Sequence, residues 1–312
     1  MKWTVGPEQG GSRLDKFLAA ADRLGSRASA SAALDRGKVF LNGVEVSARE
    51  RAARLASGDV VRVWMDRPGS ARRKTARYDD LQIVYEDEAL IVIDKPAGLL
   101  AVPLERRPDE PSLYEQLKSS PQWRHGRRPF VVHRIDRDTS GLVVFAKTAT
   151  ARDRLKEQFK RHAVERVYLA VVYGHPQPES GTWRDRLVWD QRALIQKAAH
   201  PQDQRGKDAI SAYRVVERFR QASLVEVRLV TGKRNQIRLQ ARLRGHTLVG
   251  EQRYVFGPEL LRPIAFERQA LHAHRLRLEH PTSGRPMQFE APLPPDMTSL
   301  LARLRRRTHF AS

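Results

Sequence analysis

Hydrophobic and polar positions divide the 312-residue chain into two stretches of different character. In residues 1–66, short apolar runs are separated by turn signals. Ser12-Arg13-Leu14-Asp15-Lys16-Phe17-Leu18 predicts a helix start, with Ser12 as N-cap and Asp15 three residues later. A second helix is expected from near Ser29 through Ala33-Leu34, ending at Gly37. Val39-Phe40-Leu41, Asn42-Gly43 and Val44-Glu45-Val46 read as strand, two-residue turn and strand. Asn-Gly readily takes the two positive φ angles that such a hairpin needs. Gly58-Asp59 before Val60-Val61-Arg62-Val63-Trp64 adds a further turn and strand. Residues 67–77 hold Pro68, Gly69 and five positive charges without apolar periodicity, the composition of a linker.

From Tyr78 onward the pattern becomes strand-rich. Ile83-Val84-Tyr85, Leu90 to Ile93, Phe130 to Val132, Leu142 to Phe145, Val167 to Val172 and Leu224 to Leu229 are β-branched, aromatic and apolar runs of strand length. Helical spacing is expected at Ala151 to Arg161, through Leu155 and Phe159, and at Asn235 to Arg244. Leu301 to Arg307 extends a helix into a basic tail over 301–312. Strands and helices mix without strict βαβ alternation. The expected class is therefore α+β: a mixed or antiparallel-sheet domain over 78–300, preceded by a small α+β domain over 1–66.

Composition sharpens this picture. The chain carries 57 Lys and Arg against 36 Asp and Glu, a net charge of +21, which points to a polyanionic partner, nucleic acid being the commonest. The basic residues are interleaved with apolar ones along the whole length rather than gathered in one amphipathic helix, which argues against a membrane surface. The absence of cysteine excludes disulfides, thiolate chemistry and Cys-ligated zinc. Met1 to Glu8 carries no apolar signal core, and no apolar run approaches the roughly 20 residues of a membrane span, so a cytoplasmic protein is expected.

Candidate chemistry concentrates in His133-Arg134-Ile135-Asp136-Arg137-Asp138-Thr139-Ser140-Gly141, a predicted turn between Val131-Val132 and Leu142-Val143. A carboxylate beside arginines stays ionised at neutral pH, as a nucleophile or electrostatic stabiliser requires. Asp-Thr-Ser-Gly is equally good turn chemistry, and local residues alone do not say which aspartate is reactive. An aspartic-protease site needs two such aspartates sharing a proton, and the chain holds no second copy. His133 with Asp136, or His272 with His274, could offer metal ligands. His272 and His274 alternate along Leu271 to Leu278 and so share one strand face, where they read as hydrogen-bonded structural residues or RNA contacts. No Walker or dinucleotide glycine pattern occurs, which argues against a nucleotide cofactor.

Four separated segments resemble the RluA-type pseudouridine synthases, in that family's order. They are Ile93-Asp94-Lys95-Pro96-Ala97-Gly98-Leu99; His133-Arg134-Ile135-Asp136 through Thr139-Ser140-Gly141-Leu142; Arg166-Val167-Tyr168-Leu169-Ala170-Val171; and Thr231-Gly232-Lys233-Arg234-Asn235-Gln236-Ile237-Arg238. Gly245-His246, Leu248 to Glu251, Leu271-His272-Ala273 and His280-Pro281 continue the match, which covers about residues 78–295. The resemblance implies an isomerase that detaches a uridine base from RNA and reattaches it through carbon, with no cofactor and no metal. It implies Asp136 as nucleophile, Arg238 as its ion-pair partner and Tyr168 against the uracil ring. Arg134 would fill the space left by the flipped nucleotide. Lys233 and Leu271 are expected to contact substrate, and Lys95-Pro96 reads mainly as scaffold. Lys233-Arg234-Asn235 departs from the family's usual Arg-Thr-His, and Gln240-Ala241 stands where a Val-His-like pair is frequent. Lys233 cannot reproduce a bidentate arginine contact.

Arg13-Leu14-Asp15, Ser26-Arg27, Gly37-Lys38-Val39, Asn42-Gly43 and Gly58-Asp59 resemble the S4 RNA-binding domain. That likeness implies that Arg13, Arg27, Arg36 and Lys38 address phosphates from one basic face. The expected partner is RNA, large-subunit ribosomal RNA before transfer RNA, with the protein acting as a monomer.

Overall fold

A computed structural model describes residues 1–35, 38–46, 50–65, 81–104, 109–120, 123, 128–255 and 264–309. The chain forms two compact units, Met1–Thr75 and Ala76–Ser312. The expected linker over 67–77, together with Arg36 and Gly37, lies outside the described residues.

In the first unit, β1 (Lys2–Thr4), α1 (Leu14–Leu18), α2 (Arg27–Asp35), β2 (Val39–Leu41), β3 (Val44–Glu45) and β4 (Val60–Val63) build a four-stranded sheet in the order β1-β4-β2-β3 with a helix pair. Leu14, Phe17, Leu18, Ala30, Ala33, Leu34, Val39, Val61 and Val63 form its core. The β2–β3 turn takes φ 49° at Asn42 and 82° at Gly43, the hairpin geometry that the dipeptide predicts. The α1 cap is not Ser12. Arg13 occupies the extended N-cap position and its carbonyl accepts the Phe17 N–H at 2.8 Å. The Ser12 hydroxyl is turned back onto the Gln9 carbonyl, closing the short turn over Pro7–Gln9. The second helix begins two residues before Ser29, because Ser26 Oγ accepts the Ser29 N–H at 3.0 Å.

The second unit runs β5 (Gln82–Glu86), β6 (Leu90–Lys95), α3 (Leu113–Ser119), β7 (Phe130–Val131), β8 (Ser140–Ala146), α4 (Ala149–Lys160), β9 (Glu165–Tyr173), β10 (Ser180–Asp190), β11 (Ile195–Ala198), β12 (Lys207–Arg218), β13 (Ala222–Leu229), α5 (Gln236–Leu243), β14 (Leu271–Glu279), β15 (Pro286–Glu290) and α6 (Pro295–His309). Its eleven strands form one sheet with the main order β11-β10-β12-β13-β9-β14-β8-β6-β5. Pairing is antiparallel except between β8 and β14, so the sheet is mixed and the class is α+β as expected.

The continuous apolar runs have a physical cause. In β6, Ile91 and Ile93 enter one core while Leu90 and Val92 enter another; in β8, Val143 and Phe145 part in the same way from Leu142 and Val144. Successive strand side chains point to opposite faces, and here both faces are covered. Each fully buried side chain of this kind contributes roughly 1.5–3 kcal/mol. In α6, Met297, Leu300, Leu301 and Leu304 are buried in one cluster, and the helix expected to extend through Leu301 to Arg307 is the second half of α6. Among the described residues, no helix is long and apolar enough to cross a membrane.

Candidate active site

The topology converges on the N-terminal end of β8. The parallel pairing sets Ser140 opposite His272 and Gly141 opposite Ala273, while β9 places Tyr168 opposite Ala273 from the other side. Tyr168 also faces Val227 of β13, after which the chain turns through Val230–Asn235 into α5. The turn before β8, the middle of β9 and the first turn of α5 thereby meet.

The Asp136 turn is pinned from several directions. The Thr139 N–H donates to the Asp136 carbonyl at 3.2 Å. The fully buried Lys95 ammonium donates to the carbonyls of Pro96, Leu99 and Arg137 at 2.8, 2.8 and 2.9 Å, fixing the residue next to Asp136. Lys95 therefore serves as scaffold, as read from the sequence. The Arg268 guanidinium is anchored bidentately on Asp296 of α6 and donates to the Asp138 carbonyl at 3.0 Å. At the start of β8, Gly141 has φ 108°, and a Cβ there would overlap the Ala273 carbonyl oxygen, so only glycine allows this approach.

Arg238 organises the charge. Its Nη1 donates to Asp136 Oδ2 at 3.1 Å and to Asn235 Oδ1 at 3.2 Å, while Nε and Nη2 form a two-pronged pair with Glu251, both at 2.7 Å. Glu251 also accepts the N–H groups of Arg253 and Tyr254. Side-chain exposure falls from 25% at Asp136 through 11% at Arg238 to 0% at Glu251, so the chain of charges is solvent-reachable only at the aspartate end. Burial opposes both charges. The Glu251 hydrogen bonds and charge, then Asp136, outweigh it and raise the Arg238 pKa, and Arg238 in turn holds Glu251 below its ordinary value. Arg238 is thus a permanent cation held at a fixed angle.

Asp136, Asn235 and Arg238 border a cavity of about 460 Å³. Ile135, Tyr168, Leu229, Ile237 and Leu271 supply apolar lining. Tyr168 is 7% exposed, and burial, opposed by the Arg166 charge and reinforced by that of Asp136, raises its pKa, keeping the phenol protonated. Arg134, Lys233 and Leu271 line the same cavity, so all six catalytic and substrate-contact residues named from the sequence come together. Asn235, at the position departing from His, takes φ 51°, caps α5 and hydrogen-bonds both Arg238 and Tyr254. The candidate metal ligands are otherwise engaged. His133 Nε2 accepts the Val144 N–H at 3.1 Å, and burial, with Arg166 adding, lowers its pKa to about 3. His272 and His274 share a face as expected, and both contact the Ala291 carbonyl.

Glu251 and Arg166 received no role from the sequence. Glu251 was legible as the last residue of the matching segment Leu248 to Glu251, and Arg166 as the first of Arg166 to Val171, without a role for either. In the N-terminal unit, Arg13 is paired with Asp15 at 2.7 Å, Lys38 donates to the Met65 carbonyl, and Arg27 is exposed.

With the site in view, likeness to known proteins becomes informative. Residues 89–243 match the family described as RNA pseudouridylate synthase. The chain is 36% identical over 307 residues to the uncharacterized RNA pseudouridine synthase YlyB of Bacillus subtilis, covering 97% of each chain. The chain belongs to the RluA-type RNA pseudouridine synthases. The enzyme is accordingly an isomerase of uridine in RNA. It is also 36% identical over 309 residues to ribosomal large subunit pseudouridine synthase D of Zymomonas mobilis, covering 96% of each chain. Against the protein of that name from Escherichia coli the identity is 35% over 311 residues, covering 97% of this chain and 93% of the other. Among solved structures, human RNA pseudouridylate synthase domain containing 1 superposes with a TM-score of 0.55 at 25% identity, covering 76% of the synthase and 97% of the human chain. Human domain containing 4 gives 0.59 at 21% identity, covering 72% and 93%, and shares the fold.

Proposed function

We propose that the synthase isomerises specific uridines of large-subunit ribosomal RNA, with Asp136 as nucleophile and residues 1–66 as an S4-like RNA-binding domain. The observation that carries the catalytic part is the Glu251–Arg238–Asp136 chain, which ends at the cavity with its only solvent-reachable carboxylate beside Tyr168. The ribosomal substrate is supported by the names of the relatives from Zymomonas mobilis and Escherichia coli. The S4-like role is supported by the small α+β fold and its Asn42-Gly43 hairpin, with Arg13, Arg27 and Lys38 as the phosphate-facing residues.

In this reading the target nucleotide leaves its helix, at a cost of a few kcal/mol, and Arg134 takes its place in the stack. The apolar lining receives the uracil, and Tyr168 lies against the ring. A carboxylate oxygen of Asp136 attacks C1′, or another electrophilic carbon of the nucleotide, and the N1–C1′ bond breaks with its electron pair moving to uracil. Arg238 holds Asp136 aimed through its 3.1 Å hydrogen bond. The freed base turns within the pocket, C5 bonds to C1′, Asp136 is released, and the C5 proton passes to nitrogen. Tyr168 is protonated in the resting site, so its first contribution is packing against the ring; accepting the C5 proton requires the phenol to ionise first. Atoms and electrons balance without a redox partner.

The test is to incubate the full-length protein with large-subunit rRNA and with tRNA, and to map pseudouridine by carbodiimide-stop sequencing. Wild type is expected to modify rRNA, Asp136→Asn to lose on the order of 10⁴-fold in rate, and Asp138→Asn to remain active. Modification by Asp136→Asn overturns the nucleophile, modification of tRNA alone moves the substrate, and binding without modification of either RNA favours a non-catalytic RNA-binding or ribosome-assembly role.

A further inference from the structure

We propose that Arg166 is an anion-binding residue of the target pocket, holding a backbone phosphate that flanks the flipped uridine. The proposal rests on reading the cavity as the uridine site. Arg166 stands on β9 two residues before Tyr168, so both side chains leave the strand on one face, and both line the cavity. A phosphate held by Arg166 would therefore belong to the nucleotide whose base meets Tyr168, or to its neighbour.

Three observations point to an incoming anion. First, the charges lining the cavity do not balance. Among the described residues, six cations (Arg134, Lys160, Arg166, Lys233, Arg234 and Arg238) face one carboxylate, Asp136. Uracil and ribose are neutral, so this excess is of no use to them; phosphate is the part of the ligand that answers it.

Second, Arg166 is a half-buried cation without a counter-charge. Arg238 is committed to Glu251, Asp136 and Asn235, while Arg134, Lys160 and Arg234 are exposed. Lys233, half-buried like Arg166, offers a point charge rather than a planar fork. Arg166 has no carboxylate within ion-pair distance among the described residues, and its Nε is buried without a hydrogen-bond partner. Its weak 3.4 Å bond from Nη2 to the Val230 carbonyl leaves most of the fork unused, and its Cζ lies 5.4 Å from the Phe159 ring centroid. A half-buried guanidinium whose buried Nε has no acceptor is costly, and burial lowers its pKa, so a ligand that supplies the missing acceptor gains what the site lacks.

Third, the loop opposite lies against it. A Cβ on Gly232 would stand 2.5 Å from Arg166 Nη1, which places the guanidinium directly beside the Gly232-Lys233-Arg234 segment. Lys233 and Arg234 then extend the positive surface outward from the same point. A planar fork at the inner end and point charges toward the rim suit a sugar-phosphate backbone entering the pocket.

The test compares full-length wild type, Arg166→Gln and Arg166→Lys on an rRNA fragment containing the target uridine. Measurements are RNA affinity as a function of salt, steady-state kinetics and thermal unfolding. Arg166→Gln is expected to weaken binding about tenfold, to lower the slope of log affinity against log salt by about one, and to raise KM more than it lowers kcat. Arg166→Lys should recover the slope but only part of the affinity. In wild type, a methylphosphonate linkage on one side of the target uridine should reproduce the loss, and should cost Arg166→Gln nothing further.

Indifference of wild type to methylphosphonate at both flanking positions overturns the proposal. So does a folded Arg166→Gln protein with unchanged affinity and salt slope but a lowered kcat and shifted pH profile, which would assign Arg166 to tuning Tyr168. If Arg166→Gln fails to fold, Arg166→Lys and the methylphosphonate series in wild type still decide. The functional reading fails in a different way: wild type would bind the RNA and form no pseudouridine, while the salt slopes still report whether Arg166 contacts a phosphate.

Discussion

The two charged sides of the cavity are built on opposite principles. On one side Asp136, Arg238 and Glu251 form a closed account in which each charge faces its opposite at 2.7–3.1 Å. On the other, Arg166, Lys233 and Arg234 stand on β9 and the loop before α5 with no carboxylate partner within ion-pair distance among the described residues. A paired charge in a partly dry site is rigid, which suits a group that does chemistry. An unpaired one keeps its donors for what arrives. In the proposed function, the difference separates catalysis from grip within one pocket.

The largest expected effect comes from opening the closed side. Glu251→Ala leaves Asp136 as the counter-charge of Arg238 but strips Nε and Nη2 of their acceptors, and is expected to destabilise the protein by about 3 kcal/mol in urea unfolding, with activity lost as Arg238 swings toward solvent. Replacing Arg238 and Glu251 together with Met and Leu should restore much of the stability and none of the activity. A cost below about 1 kcal/mol for Glu251→Ala would mean that the pair is not the buried anchor that its 0% exposure indicates.

A smaller effect tests the scaffold behind the aspartate. His272 is fully buried between Ser140 Oγ, at 3.0 Å, and the Ala291 carbonyl, at 3.2 Å, and burial lowers its pKa to about 4. Its folded pKa lies below the ordinary 6.5, so the unfolded chain binds the proton more readily. The stability this provides is complete above pH 6.5 and is lost as the pH falls toward 4. At pH 5 the loss is about 2 kcal/mol. His133, with its pKa lowered to about 3, contributes a similar slope over the same window, so His272→Asn should remove about half of it between pH 6.5 and 5; an unchanged slope would place the proton uptake elsewhere.

The smallest structural effect belongs to the open side. Arg234→Ala and, in the N-terminal unit, Arg27→Ala remove exposed cations and should shift stability by no more than about 0.5 kcal/mol, while each weakens RNA binding a few-fold in a salt-dependent manner. Arg234 lies 4.0 Å over the Trp189 ring, and a larger loss of stability there would show that it is part of the fold rather than the grip.

Legibility along the chain followed local self-sufficiency. The helix expected at Asn235 to Arg244 is α5 flanked by its two caps, and the one at Ala151 to Arg161 is α4 shifted by a residue or two, because apolar spacing and caps are short-range signals. Strands β10 and β12 were not legible. Ser180–Asp190 and Lys207–Arg218 are rich in charged and small residues, and they hold their conformation by eight paired positions with each other, which a local pattern does not reveal. The cap of α1 was misplaced for a related reason: Ser12 competes for the Gln9 carbonyl instead of serving the helix.

By itself the sequence determined the two-part organisation, the α+β class and a set of motif residues, since these follow from apolar periodicity, turn dipeptides and segment order. Local chemistry left Asp136 and Asp138 equivalent, and only likeness to a family separated them. The tertiary structure decided who pairs with whom. Asp136 and Arg238 are 102 residues apart, Arg238 and Glu251 are 13 apart across a turn, and Arg166 meets Gly232 only because β9 and β13 are neighbours. An ion pair's strength depends on separation and on the water excluded around it, and neither is a property of residues in a line.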